Sequence, residues 1–75
     1  MLTIAAKIGR VIRANRLQRG LSQEALAEIA DLNRSYLGDI ERGVCVPSIT
    51  TLQKLSDAFG EKLSDIIAQY EQILH

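Results

Sequence analysis

The sequence has few of the residues on which disulfides, metal sites and most catalytic sites depend. Its 75 residues include one cysteine, one proline, one histidine, three aromatic side chains and no tryptophan. Cys45 alone cannot form an internal disulfide, and with His75 it cannot supply a full set of metal ligands. The sequence has no glycine-rich phosphate loop and no nucleophile beside a base. We therefore expect neither an enzyme nor a bound metal or cofactor.

Long apolar runs are also absent. The longest is Val44-Cys45-Val46-Pro47, whereas a membrane-spanning helix needs about 20 apolar residues. The first residues, Met1-Leu2-Thr3, do not open a signal-peptide pattern. We expect a soluble, cytoplasmic protein with no membrane partner. A chain of this length has room for one domain with a modest core.

No excess of charge is present overall, since nine basic residues balance nine acidic ones. The charge is nevertheless unevenly distributed: residues 1–19 carry five basic side chains and no acidic one, and residues 20–32 carry three acidic ones. This balance argues against indiscriminate binding to polyanions but permits one positive face. Lys7, Arg10 and Arg19 are explained equally well as an ordinary solvated helix surface.

The sequence does contain repeated signals for the start and end of helices, and they indicate five helices. Ser, Thr and Asn residues that can cap a helix alternate with apolar residues at helical spacing and with glycines that can end a helix. The pattern predicts an all-α fold with helices at about 4–19, 23–30 and 34–42, a fourth from Ser48 to Gly60, and a fifth opening at Ser64. Gly9, inside the first helix, indicates close packing against a neighbouring element.

Residues 23–42 carry the functional signal. Two short helices joined by a few residues must cross steeply, which requires small and large apolar residues at set positions between them. The apolar residues that would fill this wedge are Leu26, Ala27, Ala30, Leu32, Leu37 and Ile40. The rest of the third helix is predicted to point outward: Arg34, Ser35, Tyr36, Gly38, Asp39 and Arg42. Polar side chains on such a helix suit the donor and acceptor pattern of the DNA major groove.

At these residues the chain resembles the phage-repressor-like helix-turn-helix regulators, also called the xenobiotic-response-element type. The resemblance extends from Ile8 to about Ile67 and includes Gly20-Leu21-Ser22-Gln23, Tyr36-Leu37, Ile40-Glu41-Arg42-Gly43 and Pro47-Ser48. It implies a five-helix bundle whose third helix lies in the major groove of DNA. By its size the chain is most similar to the small controller proteins of restriction-modification systems, which bind operators as dimers.

The resemblance also implies roles for individual residues. Arg34, Ser35 and Asp39 would face base edges, and Gln23 would contact a phosphate or an outer base. Arg42 or the loop after it would contact the DNA backbone, and Tyr36 would pack on a sugar-phosphate or a thymine methyl group. Ser22 and Asn33 would cap helices, a role that is compatible with phosphate binding. Arg16 and Glu41 would form an ion pair that fixes the first helix against the third.

Two positions depart from the family pattern. Asp31 stands where the turn often has glycine, although Asp tolerates a left-handed backbone better than most residues. The loop after the third helix reads Val44-Cys45-Val46, where basic residues are frequent in the family. Phosphate contacts there would have to come from backbone N–H groups.

The last helix has an apolar stripe that a monomer would leave exposed, so we expect residues 64–75 to form a two-fold dimer interface. The predicted interface residues are Ile66, Ile67, Tyr70, Ile73 and Leu74. Simple docking of this helix on the chain's own core is the alternative. The sequence as a whole predicts a homodimeric, DNA-binding transcriptional regulator or repressor; the alternative function is a protein-interaction module, such as an antitoxin or a helical adaptor.

Overall fold

The computed structural model describes residues 2–73, and in that range the chain forms five α-helices and no strand. In chain order they are α1 (Ile4–Gln18), α2 (Gln23–Ala30), α3 (Arg34–Glu41), α4 (Ile49–Phe59) and α5 (Leu63–Gln72). The predicted all-α fold is confirmed, and the predicted bounds of α1 and α3 are one residue too long at the carboxyl end.

The helix ends follow from local chemistry. Side-chain oxygens at the four predicted caps accept hydrogen bonds from backbone N–H groups that the helix leaves without a partner; the caps are Thr3, Ser22, Asn33 and Ser48. Glycines with φ near +70° follow α1, α3 and α4, where a left-handed backbone ends the helix.

The predicted start of α5 is wrong. The helix is capped at Lys62 and begins at Leu63, so Ser64 lies inside its first turn. The Asp65 carboxylate accepts a hydrogen bond from the Lys62 backbone N–H at 3.2 Å. A carboxylate in the third helical position stabilises the helix start here, although the side chain of the cap residue offers no acceptor.

The helices enclose one apolar core. Ile12, Leu26, Leu37, Ile40 and Leu55 are fully buried at its centre. Gly9 confirms the predicted close approach, because a Cβ atom at this position would lie 2.5 Å from the carbonyl oxygen of Ile40 and 2.8 Å from that of Glu41. The backbones of α1 and α3 are therefore in direct contact.

Helix α5 docks on the core more completely than the sequence analysis predicted. Ile66 is only 2% exposed and belongs to the core, which contradicts its assignment to a dimer interface. Tyr70 and Ile73 are half-buried and pack against that core. Ile67, at 36% exposure, remains accessible. Leu74, also assigned to the interface, lies outside the described residues.

Two basic residues, one within α1 and one at its carboxyl end, also pack against other helices. Lys7 is buried, with its ammonium group 4.5 Å from the centre of the Tyr70 ring. Arg19 lies over the Phe59 ring at 4.8 Å and donates two hydrogen bonds to the Phe59 carbonyl oxygen. The solvated-surface interpretation is therefore wrong for Lys7 and Arg19, whereas Arg10 is exposed as that interpretation requires.

Within residues 2–73, none of the helices combines the length and the apolar character needed to span a bilayer. The same part of the chain contains no group of three His, Cys, Asp or Glu side chains that could hold a metal ion.

Candidate nucleic-acid interface

The turn between α2 and α3 consists of three residues. Asp31 adopts the left-handed conformation, with φ 56° and ψ 51°, so the aspartate performs the conformational role that glycine often has. The N–H of Leu32 donates to the carbonyl oxygen of Ala27 at 2.8 Å and closes the end of α2. Asn33 then starts α3, because its side-chain oxygen accepts hydrogen bonds from the N–H groups of Ser35 and Tyr36.

The two helices share a buried wedge, as predicted. Its buried members are Leu26, Ala27, Ala30, Leu37 and Ile40, and Leu32 packs against them from a half-buried position. These side chains occupy the inner side of α2 and α3. The opposite side of α3 is consequently left free of core contacts.

An ion pair fixes α3 to α1. The Arg16 guanidinium donates to both carboxylate oxygens of Glu41, at 2.8 and 2.9 Å, and the two side chains are 11% and 2% exposed. Arg16 also donates to the Leu21 carbonyl oxygen at 2.8 Å. The hydrogen bonds that Arg16 donates to Glu41 raise the pKa of the Arg16 guanidinium despite its burial, and the Glu41 charge acts in the same direction. The pair is present as the resemblance implies, in the two-point geometry that favours Arg over Lys.

Gln23 joins this pair from the start of α2. Its side-chain nitrogen donates to Glu41 Oε1 at 3.2 Å, so this carboxylate of α3 accepts hydrogen bonds from side chains of α1 and α2. From sequence, Gln23 is predicted to contact only DNA, at a phosphate or an outer base, so this contact within the protein was missed. Gln23 and Glu41 are brought together by the packing of α2 against α3. Their separation in the sequence therefore does not predict the contact.

The outer side of α3 presents polar groups to solvent. Arg34 and Ser35 are exposed, and neither is covered by the described part of the chain. Arg34 Nε lies 3.7 Å from a carboxylate oxygen of Glu24, in a pair of which both members are mostly exposed. Asp39 accepts a hydrogen bond from the Arg42 guanidinium. Exposed pairs of this kind contribute about 0–1 kcal/mol, so another partner can displace them at little cost.

Two residues that were predicted to point outward do not. Tyr36 is half-buried against the core, and its hydroxyl lies 3.5 Å from the hydroxyl oxygen of the buried Thr51. Gly38 is buried beneath the Arg42 side chain, since a Cβ at Gly38 would lie 3.0 Å from Arg42 Nη1. The Tyr36 hydroxyl is directed toward Thr51 of α4, and Gly38 is covered because the long Arg42 side chain folds back along its own helix.

The remaining predicted residues lie around this surface. Ser22 and Asn33 are exposed, but their side-chain oxygens already accept backbone hydrogen bonds as caps. Arg42 is the C-cap residue of α3, and its side chain is 63% exposed. In the following loop Val44 and Val46 are 68% and 58% exposed. The structure thus brings Gln23, Arg34, Ser35, Asp39 and Arg42 to the sides of α2 and α3 that face away from the core.

A pair of short helices around a tight turn, with the second helix held against α1 and its polar side uncovered, defines a helix-turn-helix protein. A sequence model of the helix-turn-helix family HTH_3 matches residues 12–66. The chain therefore belongs to this family, which confirms the resemblance drawn from the sequence.

Individual relatives support the same assignment. The immunity repressor protein of Bacillus phage phi105 is 45% identical over 62 residues, which are 83% of this chain and 43% of the repressor. Control protein C.BamHI of Bacillus amyloliquefaciens is 40% identical over 60 residues, which are 79% of this chain and 74% of that protein. The crystal structure of the restriction-modification controller protein C.AhdI from Aeromonas hydrophila matches with a TM-score of 0.80 at 37% identity, covering 83% of this chain and 94% of that one. The chain spans under half the length of the phage repressor.

Proposed function

We propose that the protein is a sequence-specific, DNA-binding transcriptional regulator that acts in the cytoplasm. The observation that carries this proposal is the uncovered polar side of α3, held rigidly by the Arg16–Glu41 ion pair and by the Gly9 contact. A helix that reads base edges must keep its side chains in register with the major groove, so a fixed attachment of α3 serves recognition.

Base reading falls to Arg34, Ser35 and Asp39. Arginine can donate two hydrogen bonds to guanine, serine bonds to several bases, and a carboxylate accepts from the cytosine amino group. Arg34 and Ser35 belong to the first turn of α3, the part of a recognition helix that commonly reaches the bases. Displacing Glu24 from Arg34 costs little, because that pair is exposed and loosely spaced.

Positioning on the DNA backbone falls to a second set of residues. The amino ends of α2 and α3 carry Ser22, Gln23 and Asn33, where helix N–H groups and the helix dipole favour a phosphate. Arg42 provides an exposed cation at the other end of α3. Tyr36 is half-buried, so it contacts DNA only with the edge of its ring that remains exposed.

We also propose that the regulator is a homodimer that binds two half-sites about 34 Å apart, one helical turn of DNA. Ile67, together with the accessible parts of Tyr70 and Ile73, forms the contact surface on α5. This surface is smaller than the one predicted from sequence, because Ile66 belongs to the core. A weaker dimer that DNA binding reinforces is therefore expected.

A second candidate function has support from the loop after α3. Val44, Val46 and Ile49 are each more than half exposed, and the net charge of the chain is zero. Apolar exposure beside a helix-turn-helix is typical of a surface that binds another protein. On this alternative, the chain would be an antitoxin or a helical adaptor that has kept the fold without binding DNA.

Selection of bound fragments from random duplexes, followed by a salt titration on the selected sequence, separates the two functions. A DNA-binding regulator should enrich inverted repeats, and its affinity should fall by several powers of ten for a tenfold rise in salt, because bound phosphates release counterions. A Glu41→Gln variant, which weakens the attachment of α3, serves as the matched control and should enrich the same sequence less strongly. Failure to enrich any sequence, with no dependence of binding on salt, would favour the protein-interaction module.

A further inference from the structure

The exposed side of α1 combines charge with apolar surface. Arg10, Arg13, Ala14 and Leu17 follow one another at helical spacing and line a shallow groove on the side of α1 opposite the buried Ile12. Leu17 is 53% exposed, so it adds apolar surface beside the two arginines. We call these four residues the basic face.

Arg10 and Arg13 differ from the other arginines of the chain. Arg16, Arg19, Arg34 and Arg42 each contact a carboxylate of the same chain. Within residues 2–73, by contrast, Arg10 and Arg13 have neither an ion pair nor a side-chain hydrogen bond, so their charges are available to an external partner.

The outer side of α2 is the chemical complement of the basic face. Glu24 and Glu28 lie one turn apart, with Ala25 and Ile29 beside them, and Ile29 is 57% exposed. Glu28 has no ion pair or side-chain hydrogen bond within the described part of the chain. We call these four residues the acidic face: two carboxylates, one alanine and one large aliphatic side chain, against two guanidinium groups, one alanine and one large aliphatic side chain.

We propose that the basic face of one copy of the protein docks on the acidic face of a second copy. Opposite charges direct the approach, and Leu17 and Ile29 supply apolar contact beside the charged pairs. Each face presents four side chains, whereas a stable interface takes about 20–30 residues a side. The contact is therefore weak in solution, and it gains strength where copies are held close together, as on a shared duplex.

This contact is separate from the proposed dimer, and it meets the base-reading set only at Glu24, whose carboxylate lies 3.7 Å from Arg34 Nε. It joins two unlike surfaces, α1 and α2, and uses no residue of α5. Arg13 and Glu28 belong to neither the DNA-contacting set nor the core, so changing them leaves the fold and the recognition helix intact. The inference goes beyond the proposed function and can be tested without DNA.

The test is a charge exchange measured by sedimentation equilibrium of the full chain at low ionic strength and high protein concentration. Reversing one charge, in Arg13→Glu or in Glu28→Arg, should lower the association constant about tenfold or more relative to the wild type. Combining both changes in one chain should restore association, because the opposite charges again face each other. Lys62→Glu is the matched control: it makes the same change of charge outside both faces and should associate as the wild type does.

An equimolar mixture of the two single variants gives an independent result. In each variant one face carries charges of both signs and no longer complements the other face, so each variant should associate poorly alone. In the mixture the unaltered acidic face of one variant can meet the unaltered basic face of the other, so complexes that contain both should form. Circular dichroism would establish that every variant keeps the wild-type helix content. Equal association of the wild type and Arg13→Glu, or no recovery in both the double variant and the mixture, would overturn the proposal.

Discussion

Gly9 of α1 lies against the last turn of α3 so closely that no side chain fits between it and Ile40. A Cβ atom at Gly9 would stand 2.5 Å from the Ile40 carbonyl oxygen, a backbone atom that cannot move aside without displacing α3. The glycine therefore sets the distance between the helix that supports the bundle and the helix proposed to read DNA.

Gly9→Ala should destabilise the protein by about 1–3 kcal/mol, because the overlap with α3 outweighs the gain of about 1 kcal/mol in helix propensity. Chemical denaturation measures the change. Gly38→Ala is the matched control: its nearest neighbour is the flexible Arg42 side chain, so stability should stay level or rise by up to about 1 kcal/mol. Equal effects of the two substitutions would show that the contact with α3 is not restrictive.

The Arg16–Glu41 pair predicts an asymmetry between its two partners. Arg16→Met should cost about 3–5 kcal/mol in the free energy of unfolding, because it leaves the almost completely buried Glu41 carboxylate with Gln23 as its remaining side-chain donor. Glu41→Gln should cost less, because the amide oxygen still accepts from Arg16 and no carboxylate is stranded. Denaturant titration of both variants checks the order, and a larger loss for Glu41→Gln would contradict it.

The destabilisation caused by Arg16→Met should not depend on pH between pH 6 and pH 9. The pKa of Arg16 is raised in the folded state by its hydrogen bonds to Glu41, so its stabilising contribution is complete below the unfolded pKa and declines only as pH rises through the folded one. Both values lie far into the alkaline range. Unfolding measured at pH 6 and at pH 9 should accordingly give the same difference between Arg16→Met and the wild type.

Arg34 and Arg42 should differ in their effect on DNA binding. Arg34→Ala is expected to weaken binding to the selected operator by about 1–3 kcal/mol and to relax the preference at one base position. Arg42→Ala should weaken operator and random duplexes by similar factors and lower the slope of affinity against salt. Titrations of both DNAs with both variants test the division, and equal losses on both DNAs for Arg34→Ala would remove Arg34 from base reading.

The helix ends were predictable because capping is local. Thr3, Ser22, Asn33 and Ser48 each accept a hydrogen bond from a backbone N–H only two or three residues further on, so the sequence contains both partners. The start of α5 escaped prediction because its stabilising acceptor, Asp65, lies inside the helix while Lys62 stands at the cap position.

The wrong predictions of side-chain exposure have a different origin. Whether a side chain is exposed depends on contacts between elements that are far apart in the sequence. A solvated surface explained Lys7 as well as any other role did from sequence, but the residue is buried, with its ammonium group above the Tyr70 ring of α5. Tyr36 lies on the outer side of α3 by helical spacing, yet it is half-buried and its hydroxyl lies near Thr51 of α4. A helical pattern shows which residues share a side and does not show what packs against that side.

The apolar stripe on α5 is visible in the sequence, but only the structure shows which of its residues are buried. Ile66 and Ile67 are therefore expected to differ when each is replaced. Ile66→Ala should cost about 2–5 kcal/mol in unfolding free energy, because it removes a core side chain that is only 2% exposed. Ile67→Ala should cost much less in the monomer, since Ile67 is 36% exposed. Denaturation at low protein concentration measures both values.

The proposed dimer depends on Ile67 and not on Ile66. Ile67→Asp should therefore shift the protein toward the monomer in sedimentation experiments and lower its affinity for an operator with two half-sites more than for an isolated half-site, because only the two-site duplex benefits from joined subunits. Ser64→Asp, at an exposed α5 position outside the apolar stripe, adds the same charge and should leave both measurements unchanged. If Ile67→Asp kept the wild-type mass and the wild-type preference for two half-sites, the dimer contact would have to lie on another helix.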